Sequence, residues 1–493
     1  MTSYRYEPLS AQDNGFLLWE KPELPMHGGA VQIYDAGPLA TPDGGIDFAA
    51  IKNAMEFVLP QVPRYRQKLM WIPGRDRAVW VDDPQFNFDY HMRHTALARP
   101  GTDRELKQLA ARILERPLDR TRPLWELWVV EGLDGGRFAT IAKTHHCMLD
   151  GVSGINLATI VMSDDPDKRF GEPSRYVPRP LPTEAELRRD DLLHRLSMPL
   201  DFARGLYDFA ASTDDPVGEV VSRARSLAAM AWWKAVPASD TPLNGPVGLH
   251  RRIDWMTLRL ADLKAIRRKL GCSVNDVVLA VVTGTVRDFM IARRVRPETL
   301  EFRAATPVNV RRDSEQGELG NRVSSWVLRL PIGERDPLRQ LEEIHATTEE
   351  LKESHQAAAV EMIESLHEWV SIDIQEMSKG TANMFVTNVP GPQFPLYLVG
   401  ARLRGIYAQA PIIENMGLVI AVMSYDGNVC WGFNADYDRV PDLADFVAIA
   451  RTAFERLARA AGVELQAETA EAASAEPAEE HTSSGAHGPR ALG

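Results

Sequence analysis

Residues 144–154 have the sequence THHCMLDGVSG, and the fold is predicted mainly from this stretch. Residues 138–144 before it have the apolar pattern of a β-strand, and residues 151–162 after it have the pattern of a helix. Successive side chains on extended backbone point to opposite faces, so His145 and His146 cannot both act on one atom. We expect one of them to face a cavity and the other to pack inside the protein.

The same stretch carries the residues for acid–base chemistry. A neutral imidazole accepts a proton from a hydroxyl group near pH 7, so the histidine pair predicts a general base. Asp150 is spaced to orient the loop or the ring. Gly151 indicates a backbone position with no room for a side chain.

Two other chemistries use the same residues. His145, His146 and Asp150 are metal-ligand types, and His91 and His94 would add to them, but the spacing matches no known zinc motif. We therefore expect no metal. Cys147 as a nucleophile is disfavoured because it neighbours His146 and points away from it. A small buried side chain is the simpler interpretation of Cys147.

The composition bounds the class of protein. Hydrophobic residues make up 44% and charged residues 25%, which is typical of a globular chain. The net charge of -12 argues against nucleic-acid binding. Three cysteines, far apart in the chain, predict no disulfide framework and a reducing compartment. Residues 1–15 lack the apolar run of a signal peptide, so we expect a cytoplasmic protein with at most peripheral membrane contact.

The length of 493 residues predicts two domains, because single cores stop growing well below that size. Prolines cluster near residues 166–182 and 237–246, as is typical of domain boundaries. The last residues are rich in Ala, Glu, Ser and Gly and bury too little apolar surface to fold. The predicted segments are a first domain over 1–180, a helical connector over 181–247, a second domain over 248–465 and a disordered tail over 466–493.

Both predicted domains mix strands and helices, so the fold class is α/β (α+β). In the second domain, the apolar pattern predicts strands over 302–309, 324–330, 382–387, 417–425 and 428–434, and helices over 274–292, 337–355 and 443–461. Ser273 is the predicted cap of the helix over 274–292.

Further motifs along the chain narrow the interpretation. They are LSAQDNGFLLWEKPELPMHGG (9–29), RPLWE (122–126), SVNDVVLAVVTG (273–284) and TNVPGP (387–392). Together with HHCMLDG, they resemble the bacterial wax ester synthase/diacylglycerol acyltransferase family. That family lies within the HHxxxDG superfamily of chloramphenicol acetyltransferase-like enzymes and condensation domains.

The resemblance implies an architecture and roles for the residues. Two chloramphenicol acetyltransferase-like domains, each a mixed sheet flanked by helices, would be joined by a helical crossover, with the active site in a tunnel at their interface. His146 would be the general base, supported by His145, Asp150 and Gly151 in the motif and by Asn275 and Asp276 in the second domain. Pro123, Leu124, Trp125 and Asn388 would contact substrate. Arg66 would pair with Asp150, with Arg64 and Arg120 as the next choices.

The resemblance also implies the reaction. An acyl-CoA co-substrate would give its long-chain acyl group to the hydroxyl of diacylglycerol or a long-chain alcohol, with no bound cofactor and no covalent enzyme intermediate. The product would be triacylglycerol or wax ester. Two alternatives stay open: an acyltransferase that takes its acyl group from a carrier protein, and a non-catalytic protein that binds lipid surfaces.

Basic and amphipathic segments suggest where these partners bind. Arg293, Arg294, Arg311 and Arg312 belong to the densest basic group and are the predicted contacts of the CoA phosphates, against the plainer interpretation of a solvated surface. Residues 198–211 and 227–236 have amphipathic patterns that fit either a membrane or lipid-droplet surface or the protein's own core.

Overall fold

The computed structural model describes residues 6–148, 160–197, 237–309, 323–353 and 380–466. The helices are α1 (Ala11–Trp19), α2 (Phe48–Val58), α3 (Phe88–His91), α4 (Asp103–Leu114), α5 (Leu260–Leu270), α6 (Val274–Ala292), α7 (Pro337–Glu353) and α8 (Leu443–Ala460). Residues 184–197 are also helical. Short 3₁₀ turns cover Gly37–Leu39, Leu59–Gln61, Pro63–Arg66, His146–Met148 and Pro297–Thr299.

The strands form one small sheet and two sheets of six. They are β1 (Tyr6–Pro8), β2 (His27–Asp35), β3 (Gln67–Trp71), β4 (Ala78–Asp82), β5 (Met92–Ala96), β6 (Trp125–Leu133), β7 (Arg137–His145), β8 (Arg251–Arg259), β9 (Arg303–Asn309), β10 (Val323–Arg329), β11 (Met384–Val389), β12 (Tyr397–Leu398), β13 (Ala401–Gln409), β14 (Leu418–Tyr425) and β15 (Asn428–Asp436). The small sheet has the order β1-β4-β3.

The first six-stranded sheet has the order β12-β13-β2-β7-β6-β5 and takes strands from both halves of the chain. β13 pairs antiparallel with β2, so that Gln409 lies opposite Gly29. β2 in turn pairs with β7, placing His27 opposite His145. The domain boundary predicted near residue 248 stays a prediction. In this sheet, residues 397–409, which follow that boundary in sequence, pair with the strands of the first half.

The second sheet has the order β10-β9-β11-β14-β15-β8. β11 runs parallel to both β9 and β14, whereas the remaining pairs are antiparallel. Helices pack on this sheet, and the resulting core contains side chains from α5, α6, α7 and α8. Mixed sheets flanked by helices confirm the predicted α/β class.

Helix α6 is the central helix of the second core. Ser273 caps it, as predicted: its hydroxyl accepts from the Asp276 amide at 3.1 Å, and the Asp276 carboxylate accepts from the Ser273 amide at 2.8 Å. This reciprocal pair is a capping box, which satisfies two amides that a helix start otherwise leaves unpaired. The apolar residues that follow are buried nearly all round the helix, as expected for a core helix.

Several apolar clusters join the two halves, one of which packs Leu398, Leu403 and Tyr425 among first-half side chains, and two others are described here. On β8, Ile253 and Trp255 pack with side chains of α4, including Leu106 and Leu114. The second cluster, here called the junction cluster, joins Phe16, Trp19, Leu24 and Met26 of the first half to Phe385, Ala410, Ile412 and Val419 of the second, with Val247 beside them. The junction cluster matters for function because Phe16 also contacts the histidine motif.

Among the described residues, no single helix has the length and apolar composition to cross a membrane. Leu260–Leu270 and Val274–Ala292 meet those criteria only as a pair, and the two helices are bent by 101° relative to each other.

Candidate functional site

His146 lies at the point where β7 ends and a 3₁₀ turn begins. Its backbone amide donates to the carbonyl oxygen of Met26 at 2.8 Å, which fixes the turn against the loop before β2. The imidazole lies against the ring of Phe16, with centroids 4.3 Å apart and planes inclined by 34°. Because Phe16 belongs to the junction cluster, His146 is positioned where the two halves meet.

The ring of His146 is held in its neutral form. Burial lowers its pKa to about 4, and the neighbouring His145 adds to this effect. Its Nδ1 is enclosed by protein atoms and has no hydrogen-bond partner among the residues that the structure describes. A half-buried, unprotonated imidazole at neutral pH has the charge state that a general base requires.

His145 is completely buried and faces the opposite way, as the alternation of strand side chains predicts. Its Nδ1 accepts from the Cys147 backbone amide at 3.2 Å and lies 3.0 Å from Cys147 Sγ. Its Nε2 lies 3.5 Å from Glu20 Oε1. The His145 amide donates to the carbonyl of Leu124 at 2.9 Å. These contacts support a structural role for His145.

Glu20 and Arg120 form an ion pair behind His145 that the sequence analysis did not find. Arg120 Nε donates to Glu20 Oε2 at 2.8 Å. Burial raises the pKa of Glu20, but its contacts with His145 and Arg120 outweigh burial and lower it to about 2. The only available signal was that Glu20 is the last residue of the motif LSAQDNGFLLWE (9–20), which gives no information on its spatial partner.

The three arginines proposed as partners of Asp150 have other contacts in the structure. Arg120 is bound to Glu20, and Arg64 pairs with Glu7 at 2.7 Å. The guanidinium of Arg66 lies 4.5 Å over the ring of Tyr176. Asp150 itself is outside the described residues, so its pairing with Arg66 stays a prediction.

The PLW residues are packed beneath the strand that ends at His145. Leu124 and Trp125 are 0% and 1% exposed, and Pro123 is also buried. The Trp125 indole donates from Nε1 to the Tyr65 carbonyl at 2.8 Å and stacks on His91 at 4.7 Å. Their substrate contact stays a prediction. The observed neighbours are protein groups, and the observed effect is to support β7.

Asn275 and Asn388, placed in different motifs by the sequence, meet in the structure. The Asn388 amide donates from Nδ2 to Asn275 Oδ1 at 3.3 Å. Asn388 lies on the face of β11 shared with Met384 and Val386, which belong to the core against α6. Phe385 lies on the opposite face, in the junction cluster. The asparagine pair is thus on the helix side of the sheet.

Asp276 is fully buried, and its carboxylate is fully engaged. Besides the capping box, Oδ1 accepts from Thr348 at 2.8 Å and Oδ2 lies 2.9 Å from His345 Nδ1. Burial raises the pKa of Asp276, but these bonds and those from Ser273 outweigh burial and lower it. Asp276 therefore ties α6 to α7, and its support of the active site stays a prediction.

The predicted CoA-phosphate arginines lie at the other end of α6. Arg293 is already paired: it donates to both carboxylate oxygens of Asp442 and, at 3.0 Å, to the carbonyl of Arg439. Arg294 is exposed at a cavity of about 620 Å³ that also contains Asp288 and Glu298. At 1.5 Å per residue, Asn275 and Arg294 are about 28 Å apart along the helix axis. Their contact with CoA stays a prediction.

Several predicted residues fall outside the described part of the chain. They are Asp150 and Gly151 of the histidine motif, Arg311 and Arg312 of the basic group, and the amphipathic segments 198–211 and 227–236. Their assigned roles stay predictions.

The metal alternative has no support among the described residues, where no three His, Cys, Asp or Glu side chains are grouped to bind a metal ion. His91 donates from Nδ1 to the carbonyl of Trp125 at 2.8 Å. His94 stacks on Phe48 and lies 3.3 Å from Glu131. Both are engaged away from His145 and His146.

Comparison with protein families agrees with the motifs. Residues 9–278 match the model of the wax ester synthase/diacylglycerol acyltransferase catalytic domain, and residues 319–458 match that of the WS/DGAT C-terminal domain. A putative diacylglycerol O-acyltransferase of Mycobacterium tuberculosis (strain CDC 1551 / Oshkosh) is 33% identical over 456 residues, which are 89% of this chain and 87% of that protein. A probable diacylglycerol O-acyltransferase of M. tuberculosis (strain ATCC 25618 / H37Rv) is 31% identical, over 85% of this chain and 90% of that protein.

Solved structures share the fold. The wax ester synthase/diacylglycerol acyltransferase from Marinobacter aquaeolei VT8 matches with a TM-score of 0.65 and 25% identity, over 92% of this chain and 100% of that chain. The starter condensation domain of rhizomide synthetase, in complex with C8-CoA and Leu-SNAC, matches with a TM-score of 0.55 and 15% identity, over 94% and 96% of the two chains. These matches confirm the predicted two-domain, chloramphenicol acetyltransferase-like architecture.

Proposed function

This chain belongs to the wax ester synthase/diacylglycerol acyltransferase family, and from that premise we propose that it transfers a long-chain acyl group from acyl-CoA to the hydroxyl of diacylglycerol or of a long-chain alcohol. It is an O-acyltransferase whose product is triacylglycerol or wax ester. We propose the catalytic mechanism and the choice of acceptor.

One observation carries the mechanism. The neutral ring of His146, with its pKa lowered to about 4, lies at the junction of the two halves and against Phe16. Since Nδ1 is enclosed by protein, we assign the proton-accepting role to Nε2. A positioned base accelerates such a reaction about a hundred- to ten-thousandfold.

The reaction then needs no covalent enzyme intermediate. The imidazole takes the proton of the acceptor hydroxyl while the hydroxyl oxygen forms a bond to the thioester carbonyl carbon. The tetrahedral intermediate collapses with loss of the carbon–sulfur bond, and the proton passes from the imidazolium to the CoA thiolate. The thioester is activated from the start, so a serine or cysteine nucleophile is unnecessary.

Asn275 is our choice for stabilising the tetrahedral oxyanion. Its Oδ1 accepts from Asn388, which orients the side-chain amide and leaves its Nδ2 to donate to a ligand. A single such donor contributes about 2.7–4 kcal/mol to transition-state stabilisation in enzymes where one has been removed. The amide of Asn388 would act through Asn275 and not on the substrate itself.

The partners follow from the reaction. Acyl-CoA is a co-substrate and no resident cofactor is required. Diacylglycerol and long-chain alcohols reside in membranes or lipid droplets, so we expect a cytoplasmic enzyme that meets these surfaces peripherally. The carrier-dependent alternative is less favoured because the relatives at 31–33% identity are named for diacylglycerol O-acyltransferase activity, whereas the condensation domains share only the fold.

A product assay tests the proposal. The full chain is incubated with radiolabelled palmitoyl-CoA and an equimolar mixture of dioleoylglycerol and hexadecanol, and the lipids are separated by thin-layer chromatography. A His146→Ala preparation measures the background. Labelled triacylglycerol or wax ester is expected. Ester formation only when a palmitoyl-carrier protein replaces palmitoyl-CoA would support the alternative, and lipid binding without product from either donor would contradict enzymatic function.

A further inference from the structure

We propose that Glu20 is a positioning residue that fixes the His146 ring for the reaction, acting from behind the active site through the backbone of Met26 and the side chain of His145. The proposal rests on the proposed function, since it assigns Glu20 a task only if His146 is the base. Glu20 touches neither the reacting atoms nor, in the described structure, the His146 ring.

The first connection runs through the loop between α1 and β2. Glu20 Oε1 accepts from the Met26 amide at 3.1 Å, which closes the loop at its base. The Met26 carbonyl accepts from the His146 amide at 2.8 Å. One peptide segment therefore links the carboxylate to the backbone of the catalytic turn.

The second connection runs through His145. Its Nε2 is enclosed, forms no hydrogen bond among the described residues and lies 3.5 Å from Glu20 Oε1, which is close enough for electrostatic attraction in a buried site. Since Nδ1 of His145 accepts from the Cys147 amide, the ring spans from Glu20 to the 3₁₀ turn that carries His146. Glu20 thereby contacts a ring that is itself bonded to this turn, and the contact helps to hold the orientation of the ring.

The third connection runs through helix α1. The Glu20 amide donates to the Phe16 carbonyl at 3.2 Å, and Arg120 donates to the Leu17 carbonyl at 2.7 Å while holding the Glu20 carboxylate. The last turn of α1 is thus attached to the same ion pair. Phe16 on this helix packs on the His146 ring, so the bond from Arg120 to the Leu17 carbonyl connects the ion pair to the helix that covers the ring.

The burial of Glu20 explains why a carboxylate is required here. Its side chain is 6% exposed, and a charge in such a place is stable only when it is paired and hydrogen-bonded. Arg120 supplies the charge, and the Met26 amide supplies the bond on the other oxygen. A glutamine has the same shape but presents an NH₂ group where one of these donors already lies.

A double-mutant cycle on the full-length protein tests the proposal. The variants are Glu20→Gln, His146→Ala and both together, assayed with radiolabelled palmitoyl-CoA and hexadecanol or dioleoylglycerol. We expect Glu20→Gln to lower kcat about ten- to a hundredfold, because a misplacement of about 1 Å costs up to a hundredfold, while KM for palmitoyl-CoA changes less than about threefold. In the His146→Ala background, Glu20→Gln should not lower the residual rate further, since the two residues act as a unit.

Asp35→Asn is the matched control. Asp35 also pairs with an arginine, Arg404 at 2.8 Å, but at the far end of β2, about 26 Å from His27 along the strand. This control should retain wild-type kcat. If Glu20→Gln does not fold, Arg120→Gln replaces it, because Arg120 is 34% exposed and water can reach the Glu20 carboxylate once the guanidinium is removed; its expected loss in kcat is about three- to tenfold.

The outcomes separate the two proposals. A folded Glu20→Gln or Arg120→Gln variant with wild-type kcat overturns the role of Glu20 but leaves His146 as the base. Equal losses from Glu20→Gln in the wild-type and His146→Ala backgrounds also overturn it, because they indicate general structural damage. Wild-type turnover by His146→Ala itself overturns the proposed mechanism instead.

Discussion

The ring of Phe16 covers the ring of His146 at a centroid distance of 4.3 Å, and the same phenylalanine packs with Ile412 and Val419 of the second half. The residue that shields the base is therefore also a residue that joins the two halves. This coupling leads to the first prediction.

Phe16→Ala should lower kcat about tenfold and raise the pKa of His146 toward 6.5. The loss of the ring lets water reach the imidazole, which removes part of the burial that lowers its pKa. Phe16→Leu keeps an apolar cover and is the matched control, with less than a threefold change. The measurement is the pH dependence of kcat for both variants. If the alanine variant keeps wild-type kcat and the acid limb of its pH–rate profile is unchanged, Phe16 does not shield His146.

The pH dependence of the wild-type enzyme follows from the same pKa. His146 stays neutral down to a pH near 4, so kcat/KM should be constant within about twofold between pH 5.5 and 7.5 and decline only below pH 5. The contribution of His146 to the free energy of unfolding should be lost as the pH falls from about 6.5 to about 4, because over that range the unfolded chain binds a proton on this histidine and the folded chain does not. An acid limb of the rate centred at pH 6.5 would show that the ring is solvated.

Trp125→Ala should lower the free energy of unfolding by about 3–5 kcal/mol, the usual range for a buried aromatic residue. The substitution removes the bond to the Tyr65 carbonyl and the stack on His91. Trp71→Ala, at a residue that is 38% exposed, is the control, with a loss of at most about 0.5 kcal/mol. Urea denaturation provides the measurement. A Trp125→Ala protein of wild-type stability but raised KM for the acceptor would favour the predicted substrate contact instead.

Asp276→Ala should lower the free energy of unfolding by about 2–4 kcal/mol, from the lost helix cap and from the partners left unpaired at Ser273 and Thr348. The turnover of the folded fraction should be nearly unchanged. Glu105→Ala removes the equivalent acceptor from the less buried cap of α4 and should cost only about 1 kcal/mol. Normal stability of Asp276→Ala with lost turnover would assign Asp276 a direct catalytic role.

Local sequence patterns were sufficient to predict many of the helices and strands. Val274–Ala292 was predicted with its observed bounds and its Ser273 cap, because the cap and the apolar run are adjacent in sequence. The strand predicted over 138–144 corresponds to β7, Arg137–His145, which extends one residue further at each end. The family motifs were recognised for the same reason, since each is a short continuous segment.

The interactions that sequence alone missed are between distant residues. Glu20 and Arg120 are 100 positions apart, and Gln409 lies opposite Gly29 although 380 residues separate them. Alternation within a strand shows which face is buried but not which sheet the strand joins. The strand Ala401–Gln409 could therefore not be assigned to the first sheet, nor Arg120 to Glu20 in preference to Asp150.

The turnover of His146→Ala tests the central claim most directly. The purified variant and its control His94→Ala, a partly exposed histidine away from the site, are compared with wild type in palmitoyl transfer to hexadecanol and dioleoylglycerol. The account predicts that His146→Ala unfolds at the wild-type temperature and loses about a hundred- to ten-thousandfold in kcat, whereas His94→Ala retains wild-type turnover. A folded His146→Ala protein with kcat within a few-fold of wild type would contradict it.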